Sequence, residues 1–291
     1  MQNSAGKLAG RFALVTGASR GLGRAICEHF VRAGAGVLFT SRDADSVKRA
    51  VEHVRKLATG GQVVDGMVSD VSRAEDCRAA VARAVEIGGG IDILVNNAGI
   101  YGPMGPIEEI DFEQFVHTVQ INLFGTVLMC REVIPIMRRQ NGGKIINLSG
   151  GGGATPLPRI DAYAASKAAV VRLTENLAVE LADAGIDVNA LAPGALNTRM
   201  LEQVLEAGEQ RVGREFYQRA LRQRDEGGAG LDKGAATAVF LASTDSDGIS
   251  GRLISAVWDD WSNLPAHRQE LAEGDIYTLR RIVPKDRGQA W

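Results

Sequence analysis

Cysteine is scarce in this chain: Cys27, Cys77 and Cys130 are the only three in 291 residues. They stand far apart in helical-looking segments. They therefore form neither a disulfide framework nor a metal-ligand pattern, and the expected setting is a reducing cytoplasm with no bound metal. Surplus charge is also lacking, since a net charge of -2 gives no reason to expect a nucleic-acid partner. No apolar run approaches the length of a membrane span. The first such run, Phe12 to Val15, is too short for a signal-peptide core. Linkers, internal repeats and low-complexity blocks are missing as well. Asn147-Leu148-Ser149 matches a glycosylation sequon, but it lies in a strand-like run and reads as chance. What remains is an ordinary globular composition, 45% hydrophobic and 23% charged, long enough for one large domain or two small ones.

The apolar runs alternate with helical patterns. Phe12 to Thr16 reads as a buried strand and leads into Gly17-Ala18-Ser19-Arg20-Gly21-Leu22-Gly23. A helix pattern follows over 22–33, with Ile26, Phe30 and Val31 on one side. Strand, glycine turn and helix together form a phosphate cradle. Glycines let the backbone come close, and the helix start offers free N–H groups and a positive dipole end. The alternation continues with strands over 36–41, 62–69, 91–95, 144–148, 186–191 and 252–257, and with helices over 45–58, 73–87, 112–139, 161–183 and 232–242. A polar helical stretch over 196–225 ends at Gly227-Gly228 and has the size of a lid. Short links between strands and helices predict an α/β fold, a single-domain, Rossmann-type, doubly wound parallel sheet of about seven strands with helices on both faces. The predicted division is a dinucleotide-binding catalytic domain over 1–257, with its lid at 196–231, and a C-terminal extension over 258–291.

Within this frame Tyr163 and Lys167 stand four residues apart in an alanine-rich helix, Asp161 to Val170. Residues i and i+4 share a helix face. The ammonium is thus expected near the phenol, lowering its pKa and fitting it to exchange a proton with a substrate oxygen. A surface pair of no consequence is the other reading of that spacing.

Taken together, the motifs resemble the short-chain dehydrogenase/reductase family. Those motifs are Thr16 through Gly23, Asp70-Val71, Asn96-Asn97-Ala98-Gly99, Ile121-Asn122, Tyr163 through Lys167 and Pro193 through Thr198. They occur in the family's order over roughly residues 8 to 257. The resemblance implies an NAD(P)-dependent oxidoreductase acting on CH–OH groups. It implies that Tyr163 is the acid/base, that Lys167 also binds the nicotinamide ribose, and that Asn122 holds a water in a proton relay. Gly17, Ser19, Arg20, Gly21, Leu22 and Gly23 would line the pyrophosphate side. Asp70 and Val71 would meet the adenine, with Asn96, Ala98 and Gly99 on the adenosine side. Pro193, Gly194 and Thr198 would lie at the nicotinamide end. Turn formation by Asp70 and Asn96, and helix capping by Thr198, are the alternatives. The family also implies a homo-oligomer, a tetramer, with the helices over 112–139 and 161–183 at its interface.

Three departures stand out. The family's catalytic serine falls at Gly150, one residue past Ser149. Ser149 turned into the site, Thr155 or the substrate itself could replace it, or the chain could be a weakly active or regulatory cofactor binder. At the tip of the second strand stand Ser41 and Arg42 rather than an acid, and Arg20 is near in sequence to the same phosphate site. With Asp43 or Asp45 read as a helix N-cap, NADP is expected; Asp43 as a ribose ligand would favour NAD. The third departure is Trp258-Asp259-Asp260-Trp261 and the thirty residues after it, either packed on the same or a neighbouring subunit or lining a substrate site. The lid arginines 199, 211, 214, 219, 222 and 224, and the tail's Arg280, Arg281, Lys285 and Arg287, suit an anionic group, although the acids interleaved with the lid arginines suit a solvated face. The expected substrate is a small polar molecule, sugar- or polyol-like; a small apolar ketone is the rival.

Overall fold

The computed structural model describes residues 6–291. Its strands are β1 (Phe12–Val15), β2 (Gly36–Ser41), β3 (Val64–Val68), β4 (Ile93–Asn96), β5 (Gly143–Leu148), β6 (Ile186–Ala192) and β7 (Leu253–Ser255). They make one sheet in the order β3-β2-β1-β4-β5-β6-β7, every pairing parallel. The main helices between them are α1 (Gly21–Arg32), α2 (Ala44–Arg55), α3 (Ala74–Gly88), α4 (Phe112–Val119), α5 (Gly125–Arg139), α6 (Asp161–Glu180), α7 (Arg199–Val212), α8 (Arg214–Glu226) and α9 (Leu231–Ala242). Side chains alternate along a strand, and β1 shows what that does here. Ala13 and Val15 join a core with Ile26 and Phe30 of α1 and Ala238 of α9. Phe12 and Leu14 join a second core with Val81 of α3 and Val133 of α5. Both sheet faces are therefore dry, which explains why the strands read as continuous apolar runs. The chain winds away from β1 in both directions, so the carboxyl ends of β1 and β4 open a crevice where ligands bind in such sheets.

Two elements differ from the sequence reading. The long helix over 112–139 is continuous but contains a π-helical turn, Gln120–Phe124, that carries Asn122. As a unit, Phe112–Arg139 is long and apolar enough to cross a bilayer by length and composition, a length the short apolar runs did not suggest. In the fold it packs on α3, α6 and β5. The lid resolves into two helices, and α7 itself kinks at Gly208, where φ is 79°. It is also less polar than expected: Leu201, Val204, Val212 and Ala220 form a third apolar core with Tyr101, Met104, Phe216 and Tyr217 around them. Ahead of β1, Leu8 is fully buried and Lys7 pairs with Asp245 at 2.5 Å; residues 1–5 lie outside the described residues.

Beyond β7 the chain folds back on the same sheet. Trp261 packs on Phe240 with ring centres 5.4 Å apart and planes tilted by 42°, and Leu264 and Leu271 enter the first core, the latter from α10 (Arg268–Glu273). Tyr277 O accepts a hydrogen bond from Leu253 N at 2.8 Å along the outer edge of β7. The Arg252 guanidinium is buried and donates to the carbonyls of Leu271, Gly274 (3.1 Å) and Ile276 (2.9 Å).

Candidate active site

The glycine turn lies where β1 meets α1. Gly17 has φ of 64°, and a Cβ there would stand 2.7 Å from Ala98 Cα. A Cβ at Gly23 would stand 2.5 Å from Asn97 Nδ2 and 2.8 Å from Gly17 O. Only glycine fits either position, so the turn lies close against the β4 end; the Ala18 N–H donates to Thr40 O at 2.9 Å, and the N–H groups from Ser19 onward face the helix start. Asn97, which the spacing of the motifs does not single out, fastens this turn. Its amide donates to Thr16 O and Gly17 O, both at 2.9 Å, and its backbone N–H and that of Ala98 donate to Thr16 Oγ1 at 3.1 Å. This residue lies inside the quoted Asn-Asn-Ala-Gly run, but nothing in a linear motif tells which of two adjacent asparagines turns inward. The structure turns Asn96 inward: its amide donates to the buried Asn147 Oδ1 at 2.9 Å. Its side chain thus ties β4 to β5 at the carboxyl end of the sheet.

At the β2 tip, Ser19 Oγ donates to Ser41 Oγ at 2.9 Å, and Ser46 Oγ lies 3.2 Å from Ser19. Arg20 and Arg42 are exposed beside them and unpaired with any carboxylate among the described residues. Asp43 is the N-cap of α2, its Oδ1 accepting from Ser46 N at 2.8 Å. Asp70 accepts from Ser72 N and Oγ at 2.9 and 2.8 Å. Burial alone would raise its carboxyl, but Ser72, with Arg42 and His117 behind it, holds it below the usual range. Val71 is buried beside it and leaves no room for a Cβ at Gly125, which would stand 2.7 Å from its Cγ2.

The catalytic candidates converge at the carboxyl end of β5. Lys167 is buried, donates to Leu148 O at 2.6 Å, and lies 5.9 Å from the Tyr163 ring centre. Gly99 lies over this group: a Cβ there would stand 3.2 Å from Asn122 Oδ1 and 3.5 Å from Lys167 Nζ. Asn122 holds Ile100 by both backbone groups, accepting from its N–H and donating to its C=O at 2.9 Å, and donates to Ser166 Oγ at 3.0 Å. Ser166 in turn donates to Tyr163 O at 2.7 Å. The π turn, a device frequent at functional sites, aims Asn122 inward.

One expectation is reversed. Burial pushes the Tyr163 phenol well above its ordinary pKa, with Tyr101 adding to the rise, and burial lowers Lys167 to about 8. The rings of Tyr101 and Tyr163 meet edge to face at 4.8 Å. The ammonium is bonded to Leu148 rather than to the phenol, so desolvation outweighs its attraction.

The glycine run settles around the phenol. A Cβ at Gly150 would stand 2.1 Å from Tyr163 Oη. Ser149 is buried with no partner for its hydroxyl, which faces Gly153, where a Cβ would be 2.3 Å away. Thr155 is exposed and donates to Gly151 O at 2.7 Å. On the opposite wall, Pro193 is buried, and Gly194 has φ of 89° with Val257 Cγ2 2.5 Å from where a Cβ would be. Thr198 starts α7 without a side-chain capping bond, and its methyl lies 3.7 Å from the Cβ position of Gly21. Leu22 is buried under Gly234.

Several of the arginines suggested for anion binding are already paired: Arg199 with Glu202 and Glu206, Arg211 with Glu109, Arg224 with Asp225, and Arg280 with Asp275 and Asp286.

Comparison with known proteins agrees with this geometry. Residues 11–209 match the short chain dehydrogenase family. Dehydrogenase/reductase SDR family member 4 of Sus scrofa is 37% identical over 247 residues, 85% of this chain and 86% of that protein. Levodione reductase superposes with a TM-score of 0.78 at 31% identity, covering 89% of this chain and 99% of its own. NAD+-bound xylitol dehydrogenase superposes with a TM-score of 0.79 at 27% identity, covering 86% and 98%. The chain belongs to the short-chain dehydrogenase/reductase family and is an oxidoreductase acting on CH–OH groups.

Proposed function

We propose that this enzyme transfers a hydride reversibly between NADP and a secondary alcohol or ketone, with Tyr163 as the proton carrier. The observation that carries the reading is Tyr163, Lys167 and Asn122 meeting at the crevice that the glycine turn borders. When bound, the nicotinamide supplies or takes the hydride. The turn from Ser19 to Gly23 would hold the pyrophosphate on backbone N–H groups at the α1 start, with Gly17 giving it room, and Lys167 the ribose hydroxyls. Tyr163 gives a proton to the carbonyl oxygen during reduction. Its neutral phenol suits that direction, because burial favours the protonated form. Thr198, free of a capping duty, would meet the carboxamide end.

NADP is favoured over NAD by two features of the β2 tip. The Ser19–Ser41 hydroxyl pair and the unpaired Arg20 and Arg42 suit a 2′-phosphate. Asp43, the residue that would argue for NAD, is occupied as a helix cap.

For the substrate, a small polar molecule of sugar or polyol type is supported by the similarity to xylitol dehydrogenase. A second reading, a cyclic or apolar ketone, is supported by the apolar inner face of the lid and by the similarity to levodione reductase. The paired arginines speak for the neutral member of either class. The test is absorbance of the reduced nicotinamide with matched polyols, their phosphates and cyclic ketones. Faster turnover of phosphorylated polyols would overturn the neutral reading.

A homo-oligomer completes the reading. Phe112, Phe124 and Val179 expose 73%, 52% and 82% of their surface on α4, the π turn and α6. Covering such side chains is what a second copy would do. A monomer in sedimentation at micromolar concentration would overturn it. Buried, unpaired Cys27, Cys77 and Cys130 are compatible with the reducing cytoplasm that completes this assignment.

A further inference from the structure

The substrate oxygen that exchanges a proton with Tyr163 gets no second hydrogen bond from residue 150, which has no side chain and no room for one. The neighbouring hydroxyls are engaged or turned away. Ser149 is buried against Gly153, Thr155 bonds its own loop, and Ser166 bonds Tyr163 O while accepting from Asn122. A further hydroxyl-bearing side chain meets the phenol ring edge to face at 4.8 Å, and it belongs to Tyr101.

Tyr101 is also held in place from both sides. The residue before it, Ile100, is clamped at N–H and C=O by Asn122. The residue after it, Gly102, has φ of 74° and lies so close to α4 that a Cβ would stand 1.9 Å from Thr118 Oγ1. The ring itself sits among Met104, Phe216 and Tyr217 at the lid's apolar core. A side chain fixed by its neighbours on the chain and covered by the lid meets the requirement for a preorganised donor. Burial raises the Tyr101 pKa, which keeps its O–H intact at neutral pH.

We propose that Tyr101 is a catalytic residue: its hydroxyl donates a hydrogen bond to the substrate oxygen while Tyr163 transfers the proton, taking the place a serine would have at residue 150. This rests on the oxidoreductase reading above. In reduction the hydride goes to the carbonyl carbon and the Tyr163 proton to the oxygen, and Tyr101 keeps its own proton. In alcohol oxidation both transfers reverse, and Tyr101 again only donates.

The test is Tyr101→Phe, which keeps the packing ring and removes the hydroxyl. Two measurements are made on the full-length enzyme. The first is steady-state ketone reduction, with cofactor binding followed by fluorescence quenching. A fall in kcat of about 10²–10³-fold is expected, with cofactor Kd and Tm unchanged. The second needs no turnover. The four tyrosines are labelled with 3-fluorotyrosine and read by fluorine NMR. Tyr101→Phe is expected to shift the Tyr163 resonance, whereas Tyr277→Phe, in the tail, leaves it in place. Activity within about threefold of wild type would overturn the role of Tyr101 while the oxidoreductase reading stands. A wild-type enzyme that turns over no alcohol or ketone would defeat that reading instead. The resonance then decides for Tyr101: if it does not move, the hydroxyl is not at the site and the proposal fails.

Discussion

At the scale of single residues, the environment of Tyr163 and Lys167 matters more than their spacing. Removing the phenolic proton carrier with Tyr163→Phe should lower turnover about 10²–10⁴-fold and leave cofactor binding intact; retention of full activity would remove Tyr163 from the mechanism. Lys167 makes a separate prediction about stability. Burial lowers its pKa from 10.5 to about 8, so between those values the folded protein binds fewer protons than the unfolded chain. Stability from this group therefore rises with pH through that window, and the buried charge costs about 3 kcal/mol below it. Tyr163 and the three buried thiols, all raised, act in the opposite sense above their ordinary values, so only a comparison isolates the lysine. Urea unfolding of wild type and Lys167→Met from pH 7 to 10 should show the wild type gaining on the variant as pH rises. A gap independent of pH would contradict the buried ammonium. Gly150→Ser should not restore a missing serine. Its Cβ would stand 2.1 Å from Tyr163 Oη, so the phenol must move, and activity should fall. The pair Tyr163 and Lys167 was legible in the sequence because helical periodicity needs only a few residues. The direction of the Tyr163 shift was not, because it comes first from burial by the whole crevice and then from Tyr101, sixty-two positions away.

Among elements, those with strong local signals were legible and those decided by tertiary contacts were not. The strand, glycine turn and α1 follow from an apolar run, steric demands met only by glycine, and a helical stripe. The strand pattern also carried over, with ends moved by a residue or two in β3 and β7 at the sheet edges and in β4 inside it. By contrast, the π turn at Asn122 leaves no mark in composition, since it exists to satisfy Ile100 and Ser166. The lid misread has a similar origin. Its charges dominate the composition, while its few apolar residues cluster on one side against Tyr101 and Met104. The β2 tip gives the prediction at this scale. Its serines are engaged with one another and Asp43 with the α2 N-terminus, leaving the Arg20 and Arg42 guanidinium groups to meet a phosphate. Arg42→Ala should raise KM for NADP about 10–100-fold, the range of a charge-assisted hydrogen bond, and change KM for NAD little. Equal effects on both cofactors would mean that the arginine does not read the 2′ position.

For the molecule as a whole, the last thirty residues decide how the sheet ends. A parallel sheet with a bare outer strand offers unpaired backbone groups to other chains. Here β7 is only three residues long, and the returning tail covers it through Leu253 N and Tyr277 O. The fastening is Arg252, the residue just before β7, buried among carbonyls of Leu271, Gly274 and Ile276. Burial works to lower its pKa, and Glu175 and Asp275 work against that, so the charge is kept near carboxylates as well as carbonyls. Leu279 N donates to Glu175 Oε1 at 2.5 Å and fixes the tail a second time, on α6. The sequence showed that the tail departs from the family's pattern, but Arg252 looked like any strand-end arginine, because its partners lie nineteen to twenty-four positions further along the chain. Arg252→Ala removes three hydrogen bonds from a buried cation and leaves the carbonyls without donors, a loss of about 3–5 kcal/mol. The Tm should fall by several degrees, and limited proteolysis should cut first between 274 and 291. Arg252→Lys should recover part of the loss, since an ammonium can serve one or two of the three carbonyls but lacks the guanidinium's spread. If Arg252→Ala melts with wild type and its tail resists protease equally well, the contacts on Trp261, Leu264 and Leu271 suffice, and Arg252 is not what holds the tail to the sheet.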